Sequence, residues 1–237
     1  MNPEVYKRHI EFQSNHWWFQ ARKEIIGKII KKYTKNKINI LDYGSGSGVN
    51  IEMLSKYGFV YIYEPHRETN LFLKKKYKNK KKFKVLNSLN NKKFDLIVMA
   101  DVLEHIKYDK KQVKKLKKNL TKNGSFLITV PAYKFLYSKK DIILGHFRRY
   151  NKKNLSNVFD DFKIIKLSYF NFLLFVPISI LIIIFKFMNY NFINDVEKTP
   201  KKYINELMFQ IFRIEKQIIS VFNLPFGISL VGLFKKK

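Results

Sequence analysis

Three groups of residues in this chain have the types and spacing that chemistry requires. Asp42 is followed by glycines at 44, 46 and 48, a turn in which backbone can come close against a ligand. Glu64 follows an apolar run, FVYIY, and a carboxylate there is placed to accept both hydroxyls of a ribose. Asp101, Glu104 and His105 follow a second run, FDLIVM, and His146 lies in a stretch with Asp141, Arg148, Arg149 and Tyr150. Imidazole titrates near neutral pH, so His105 and His146 are the candidate proton acceptors. Together these groups suit a nucleoside-containing cofactor beside an acid–base centre. The chain has no cysteine, which removes thiolate nucleophiles, thiolate metal sites and disulfides.

These residues need a scaffold, and the sequence between them supplies one. Ile38 to Asp42 reads as a buried parallel strand, and Val49 to Tyr57 as a helix stopped at Gly58, a residue suited to a left-handed C-cap. The glycine spacing is G-x-G-x-G; the dinucleotide pattern G-x-G-x-x-G fails, because Val49 and Asn50 follow Gly48. Further strands are expected at 59–63, 83–86, 94–99, 125–130 and 162–170. Helices are expected at 67–77, 109–120 and 151–159, with Thr121 to Gly124 ending the second. Residues 1–16 are polar and aromatic, with Tyr6 and His9 among them. After them Ile26, Ile29, Ile30 and Tyr33 recur at helical spacing. Ligands of such a sheet bind outside the carboxyl ends of its strands, where the three groups fall.

At this point the chain resembles the class I S-adenosylmethionine-dependent methyltransferases. Asp42, Gly44, Gly46 and Gly48 match the family's D/E-x-G-x-G-x-G, and FDLIVMADVLEH (94–105) matches its F-D-L-[IV]-x-x-x-[DE]-V-L-E-H. His16, Trp17, Trp18, Phe19 and Arg22 match an H-W-W-F-x-x-R block, and 131–150 a V-P-A…G-H-x-R-R-Y block, of bacterial type 11/12/23-like members acting in glycan and lipid biosynthesis. The resemblance implies an α/β, Rossmann-like seven-stranded sheet with helices on both faces, an antiparallel last strand and a helical insertion before it. It implies S-adenosyl-L-methionine as cofactor, contacted by Asp42, Gly44, Ser45, Gly46, Gly48, Glu64, Pro65, Asn87, Asp101 and Val102. It implies a lid role for the tryptophan block, with Trp18, Arg22, Asp141, Arg148, Arg149 and Tyr150 as substrate candidates. Some relatives bind a divalent metal through a similar E-x-x-E-H block. Here Asp101, Glu104, His105 and His146 are the groups that could converge, but the expectation is catalysis with no metal.

Residues 167–185 carry no charge over 19 positions, close to the length of a membrane span. A single crossing would strand the last segment, 225–234, which in this fold pairs antiparallel with 162–170. The stretch is therefore read as an apolar insertion that covers the site or dips into one leaflet. The expected organisation is a cap and helix at 1–34, a cofactor-binding domain from 35–170 plus 224–237, and the insertion at 171–223. The formal charge of +29 suits an anionic membrane surface, but no nucleic-acid module accompanies it, so nucleic acid is not an expected partner. The expected acceptor is a small molecule, sugar or lipid-linked group, and the expected location cytoplasmic with membrane association. A nicotinamide oxidoreductase is disfavoured by the glycine spacing. The alternative is a non-catalytic protein on this fold that binds anionic membrane or nucleic acid.

Overall fold

Strands that are apolar at successive positions need cover on both faces, and in β1 (Ile38–Tyr43) Ile40 and Leu41 enter two separate hydrophobic clusters. In the computed structural model residues 11–34, 36–190 and 199–237 are described; Tyr6, His9 and residues 191–198 of the expected insertion lie outside them. The remaining strands are β2 (Gly58–Tyr63), β3 (Phe83–Leu86), β4 (Phe94–Ala100), β5 (Leu120–Pro131), β6 (Phe162–Phe170) and β7 (Ser229–Lys236). They form one sheet in the order β3-β2-β1-β4-β5-β7-β6. Strands β1 to β5 are parallel, and β7 runs antiparallel to both β5 and β6. This is the expected α/β architecture, with its antiparallel last strand.

One face is covered by α1 (Trp17–Tyr33), α2 (Ile51–Leu54), α3 (Arg67–Tyr77) and α8 (Lys202–Val221), the other by α4 (Asp109–Lys117) and α6 (Lys152–Val158). Helix α1 buries Ile25, Ile26, Ile29 and Ile30. Its first turn is capped by His16, whose Nδ1 accepts from the Trp18 N–H at 3.2 Å. Trp18 stacks on Phe170 and Phe212, with centroids 5.6 and 5.4 Å away, so the tryptophan block fastens α1 to β6 and α8. The remaining helices are α5 (Lys139–Ile143) and α7 (Phe175–Phe187). No described helix is long and apolar enough to cross a membrane.

Three boundaries differ from the sequence expectation. Helix α2 is a single turn, and Gly58 is no C-cap but the first residue of β2, paired with Ile38. The glycine is needed for closeness instead of handedness: a Cβ there would lie 1.8 Å from the Ile38 carbonyl oxygen. Strand β5 starts at Leu120, because Leu120 pairs with Phe94 before a register shift, so residues 121–124 belong to the strand and do not terminate a helix. The last strand begins at Ser229 and not at Pro225.

Gly58→Ala is expected to destabilise the fold by about 2–3 kcal/mol through forced separation of β1 and β2. Gly46→Ala, which has left-handed backbone but nothing within 4 Å of its Cβ, is expected to cost only about 1 kcal/mol. Urea denaturation of the two variants checks the order; equal losses would refute it.

Candidate active site

The chain order reverses between β1 and β4, which makes their carboxyl ends the switch point where an open α/β sheet binds ligands. Asp42 closes in on this edge from β1, Glu64 lies just beyond β2, and Asp101 just beyond β4. The glycine loop is left-handed at all three glycines, with φ of +72° at Gly44, +52° at Gly46 and +81° at Gly48. A Cβ at Gly44 would strike Val102 at 2.8 Å and one at Gly48 would strike Ile51 at 2.8 Å, while one at Gly46 would meet nothing within 4 Å among the described residues. Ser45 Oγ donates to the Asp42 carbonyl at 2.8 Å. Glu64 is bound to the loop: its Oε2 accepts from the Gly46 N–H at 2.8 Å and its Oε1 from the His66 N–H at 2.9 Å. Asn70 Nδ2 ties the Glu64 and Leu86 carbonyls together at 3.2 Å each. Pro65 and Asn87 are exposed at the tips of β2 and β3.

A dense charge cluster lies next to the loop. Arg22, 2% exposed on α1, pairs with Asp101 Oδ2. Asp101 itself holds a left-handed φ of +55°, fixed by Thr129, whose Oγ1 donates to Oδ1 at 2.8 Å. Asp42 is buried, and burial pushes its carboxyl up to about 7 against the pull of Ser45 and Arg22. Glu104 is wholly buried; burial first, and then the Asp101 charge, raise it well above the usual carboxylate range. Asp42 Oδ2, both Glu104 oxygens and Arg22 Nε have no hydrogen-bond partner among the described residues. Buried polar atoms are seldom left so without a ligand or an ordered water to satisfy them.

The third group comes from the segment between β5 and α6. Asp141, 1% exposed, receives Arg149 through two bonds of 2.9 and 3.0 Å, the Ser138 N–H at 2.9 Å and His146 Nδ1 at 2.9 Å. Burial alone would raise the Asp141 carboxyl, but His146 and Arg149 outweigh it and hold it at about 2. The Phe147 N–H donates to the Glu104 carbonyl at 2.8 Å, which places this segment over the turn that carries His105. The His105 and His146 rings meet edge-to-face with centroids 4.6 Å apart. Burial and then the neighbouring His146 lower the pKa of His105. Glu104, His105 and His146 each bring a ligand atom within 4.8 Å of the others, a set chemically able to hold a divalent cation; Asp101, engaged by Arg22 and Thr129, is not part of it.

The structure thus brings together Asp42, the loop, Glu64, Arg22, Asp101, Val102, His105 and His146. Tyr150 and Arg148 turn to a different partner. Asp109 Oδ2 receives the Tyr150 hydroxyl at 2.8 Å and Arg148 Nη1 at 2.9 Å. Asp109 and Thr129 escaped sequence reading, since neither lies in a chemical motif. Their nearest signals were an acid opening α4 and a hydroxyl in an otherwise apolar strand. A broad groove of about 960 Å³ along α1 and α2, lined by Lys23, Lys28, Lys31 and Lys56, includes none of the acids or histidines of the three groups.

The Asp141 cluster has a pH signature. Its folded pKa lies below the unfolded value of 3.8, so its contribution is complete above 3.8 and disappears as pH falls towards 2. Wild type is expected to lose about 2 kcal/mol across that window from this group, and Asp141→Asn to lack that loss while being less stable at neutral pH. Denaturation at stepped pH measures it; parallel pH profiles would refute the assignment.

The fold and site can be set beside known proteins. A family model described as a methyltransferase domain matches residues 13–167. No curated protein sequence matches the chain. Among solved structures the chain is similar to coclaurine N-methyltransferase bound to N-methylheliamine and S-adenosylhomocysteine, with 14% identity, a TM-score of 0.59 and coverage of 92% of this chain and 71% of that one. It is also similar to N-methyltransferase NodS from Bradyrhizobium japonicum in complex with S-adenosylhomocysteine, at 10% identity and a TM-score of 0.58 over 98% and 97% of the two chains. A TehB-like methyltransferase from Corynebacterium glutamicum gives 15%, 0.51, and 90% and 88%. At such identities the structures speak for the fold; the family rests on the domain match over most of the chain. The chain belongs to the methyltransferase domain family, in its class I, S-adenosylmethionine-dependent form.

Proposed function

We propose that this chain methylates a small-molecule, sugar or lipid-linked acceptor presented at a membrane surface on the cytoplasmic side. The observation that carries the reading is the pair of buried carboxyls, Asp42 and Glu104, with oxygens that have no partner among the described residues, beside a left-handed glycine loop. Such carboxyls favour a cationic ligand, and a sulfonium cofactor bearing an ammonium group is one. When bound, S-adenosylmethionine supplies an electrophilic methyl carbon, which the acceptor's lone pair takes as the carbon–sulfur bond breaks. Gly44, Ser45, Gly46 and Gly48 would lie along its methionine part, Glu64 and Pro65 at the ribose, and Asn87, Asp101 and Val102 at its flanks. Arg22 would hold Asp101 in place.

His146 is our candidate for the acceptor's proton. With Nδ1 donating to Asp141, the lone pair lies on Nε2. His105, held neutral by burial and by His146, is the second candidate. Asp141 and Arg149 then act as positioning residues for His146, and Tyr150 fixes the segment through Asp109. Trp18 and the part-exposed Arg148 are the side chains left to meet the acceptor. In this reading residues 1–34 form the cap, 35–170 with 224–237 the catalytic domain, and 171–223 the insertion.

Calorimetric titration should find binding of S-adenosylmethionine and S-adenosylhomocysteine but not NAD, with Glu64→Ala weakening both by tenfold or more, since a bidentate carboxylate contact is lost. Failure of both ligands to bind would end the enzyme reading. Label transfer from methyl-tritiated cofactor into a lipid and glycan extract should fall about 10²-fold or more in His146→Ala with cofactor affinity kept. That transfer should survive exhaustive chelation; loss restored by a divalent cation would instead give Glu104, His105 and His146 a metal.

A further inference from the structure

The membrane side of this reading can be located on the molecule. Helix α7 buries only Ser179 of its thirteen residues. Val176, Ile180, Leu181 and Ile184 are exposed along it, and Phe187 at its end is 86% exposed. An apolar helix of this length cannot span a bilayer, but one lying in the interface buries its side chains in the outer few ångströms of a leaflet. The exposed apolar surface does not stop at α7. Across from it, Ile142, Ile143, Leu144 and Phe147 are exposed on α5 and the residues after it, and His146 lies among them in sequence.

A cavity of about 340 Å³ separates the two elements. Lys139, Ser138 and Ile142 line it from the α5 side, and Lys186, Asn189 and Tyr190 from the end of α7. Two ammonium groups and an amide, set at the border of an apolar surface, have the chemistry of a phosphate-recognition site; the Ser138 hydroxyl is already given to Asp141. A free apolar surface alone would suit a protein partner equally well. Cations at its rim on a chain of net charge +29 favour a surface that is apolar within and anionic outside, which is a bilayer leaflet.

We infer that α7 and the 142–147 stretch form a lipid-embedded surface, and that the cavity between them takes the phosphate of an anionic lipid headgroup. The inference deepens the proposed function and rests on it in one respect: the acceptor then reaches His105 and His146 from the leaflet, because the embedded stretch is the one that carries His146.

The full chain is floated with vesicles of phosphatidylcholine alone or mixed with phosphatidylglycerol. Wild type should float with the mixed vesicles, and Ile180→Asp/Ile184→Asp should not. Lys139→Ala/Lys186→Ala should weaken binding by about thirtyfold, since each basic side chain at an anionic surface contributes roughly fivefold. Lys75→Ala/Lys81→Ala, with the same charge loss near the β3 edge of the sheet, should weaken it by less than about fivefold. Equal weakening by the two lysine pairs would reduce the effect to net charge and overturn the headgroup site. A wild type that ignores both vesicles, or sediments as an oligomer through the same face, would overturn the lipid surface. Inorganic phosphate that binds the wild type through Lys139 and Lys186 without reducing its flotation would assign the cavity to a soluble anion and overturn the headgroup site. S-Adenosylhomocysteine titration of every variant separates the two readings. Retained cofactor binding with no flotation sinks only the lipid surface, whereas flotation without cofactor binding sinks the enzyme reading.

Discussion

A single buried guanidinium holds the centre of this molecule together. Arg22 comes from α1, whose other buried positions, Trp17, Ala21, Ile25, Ile26, Gly27, Ile29 and Ile30, are all uncharged, and it pairs with Asp101 beyond the end of β4. Removing a guanidinium from water is costly, and an ion pair alone seldom recovers that cost. Asp101 offsets part of that cost by pairing directly, and Asp42 and Glu104 lie close enough for the Arg22 charge to act on both. Those two carboxyls in turn are held up by burial and favour the neutral form. A cation entering the cleft would tip them towards ionisation without rebuilding the site. The helix that supplies Arg22 is also the one that α8 grips through Phe212, Asn205 and the Glu24 pairs with Arg213 and Lys216, so the cleft, α1 and α8 are mechanically linked.

What sequence reading could reach was set by the range of the interactions involved. The strand and glycine loop from Ile38 to Gly48 are local, the loop's glycines have conformations that only glycine adopts readily, and they were legible almost residue by residue, whereas the helix expected at 49–57 is a single turn. The seven-stranded sheet and its antiparallel last strand came from resemblance, and the apolar β6 and β7 segments agreed with it. The misread boundaries share a cause. Gly58 and residues 120–124 owe their conformations to a neighbouring strand, Ile38 in one case and Phe94 in the other, and nothing in a local window reveals which strand will lie alongside.

The same limit applies to the site. The motif residues could be named, but their pairings could not. Asp141, Arg148, Arg149 and Tyr150 read as one polar group because they are close in sequence. In three dimensions they divide into two clusters, one organised by Asp141 around His146 and the other by Asp109 around Tyr150 and Arg148. The second organiser lies some forty residues away on α4. Saturated hydrogen bonding around Asp141 points to rigidity, whereas the unpartnered oxygens of Asp42 and Glu104 point to a ligand, and that contrast exists only in coordinates.

The position of β7 has a consequence for how the chain is made. Synthesis runs from the N-terminus, yet β7 lies between β5 and β6, so β6 gains its neighbour only after residues 229–236 have been translated. Until then β5 presents an open edge, and the whole stretch from β6 through α8 has emerged with nothing to close the sheet around it. Long-range strand pairing of this kind is slow and leaves edges exposed while it waits. The apolar α7 therefore exists as a nascent segment well before the fold that anchors it, and the order of synthesis gives it the opportunity to meet whatever surface it prefers ahead of the rest of the enzyme.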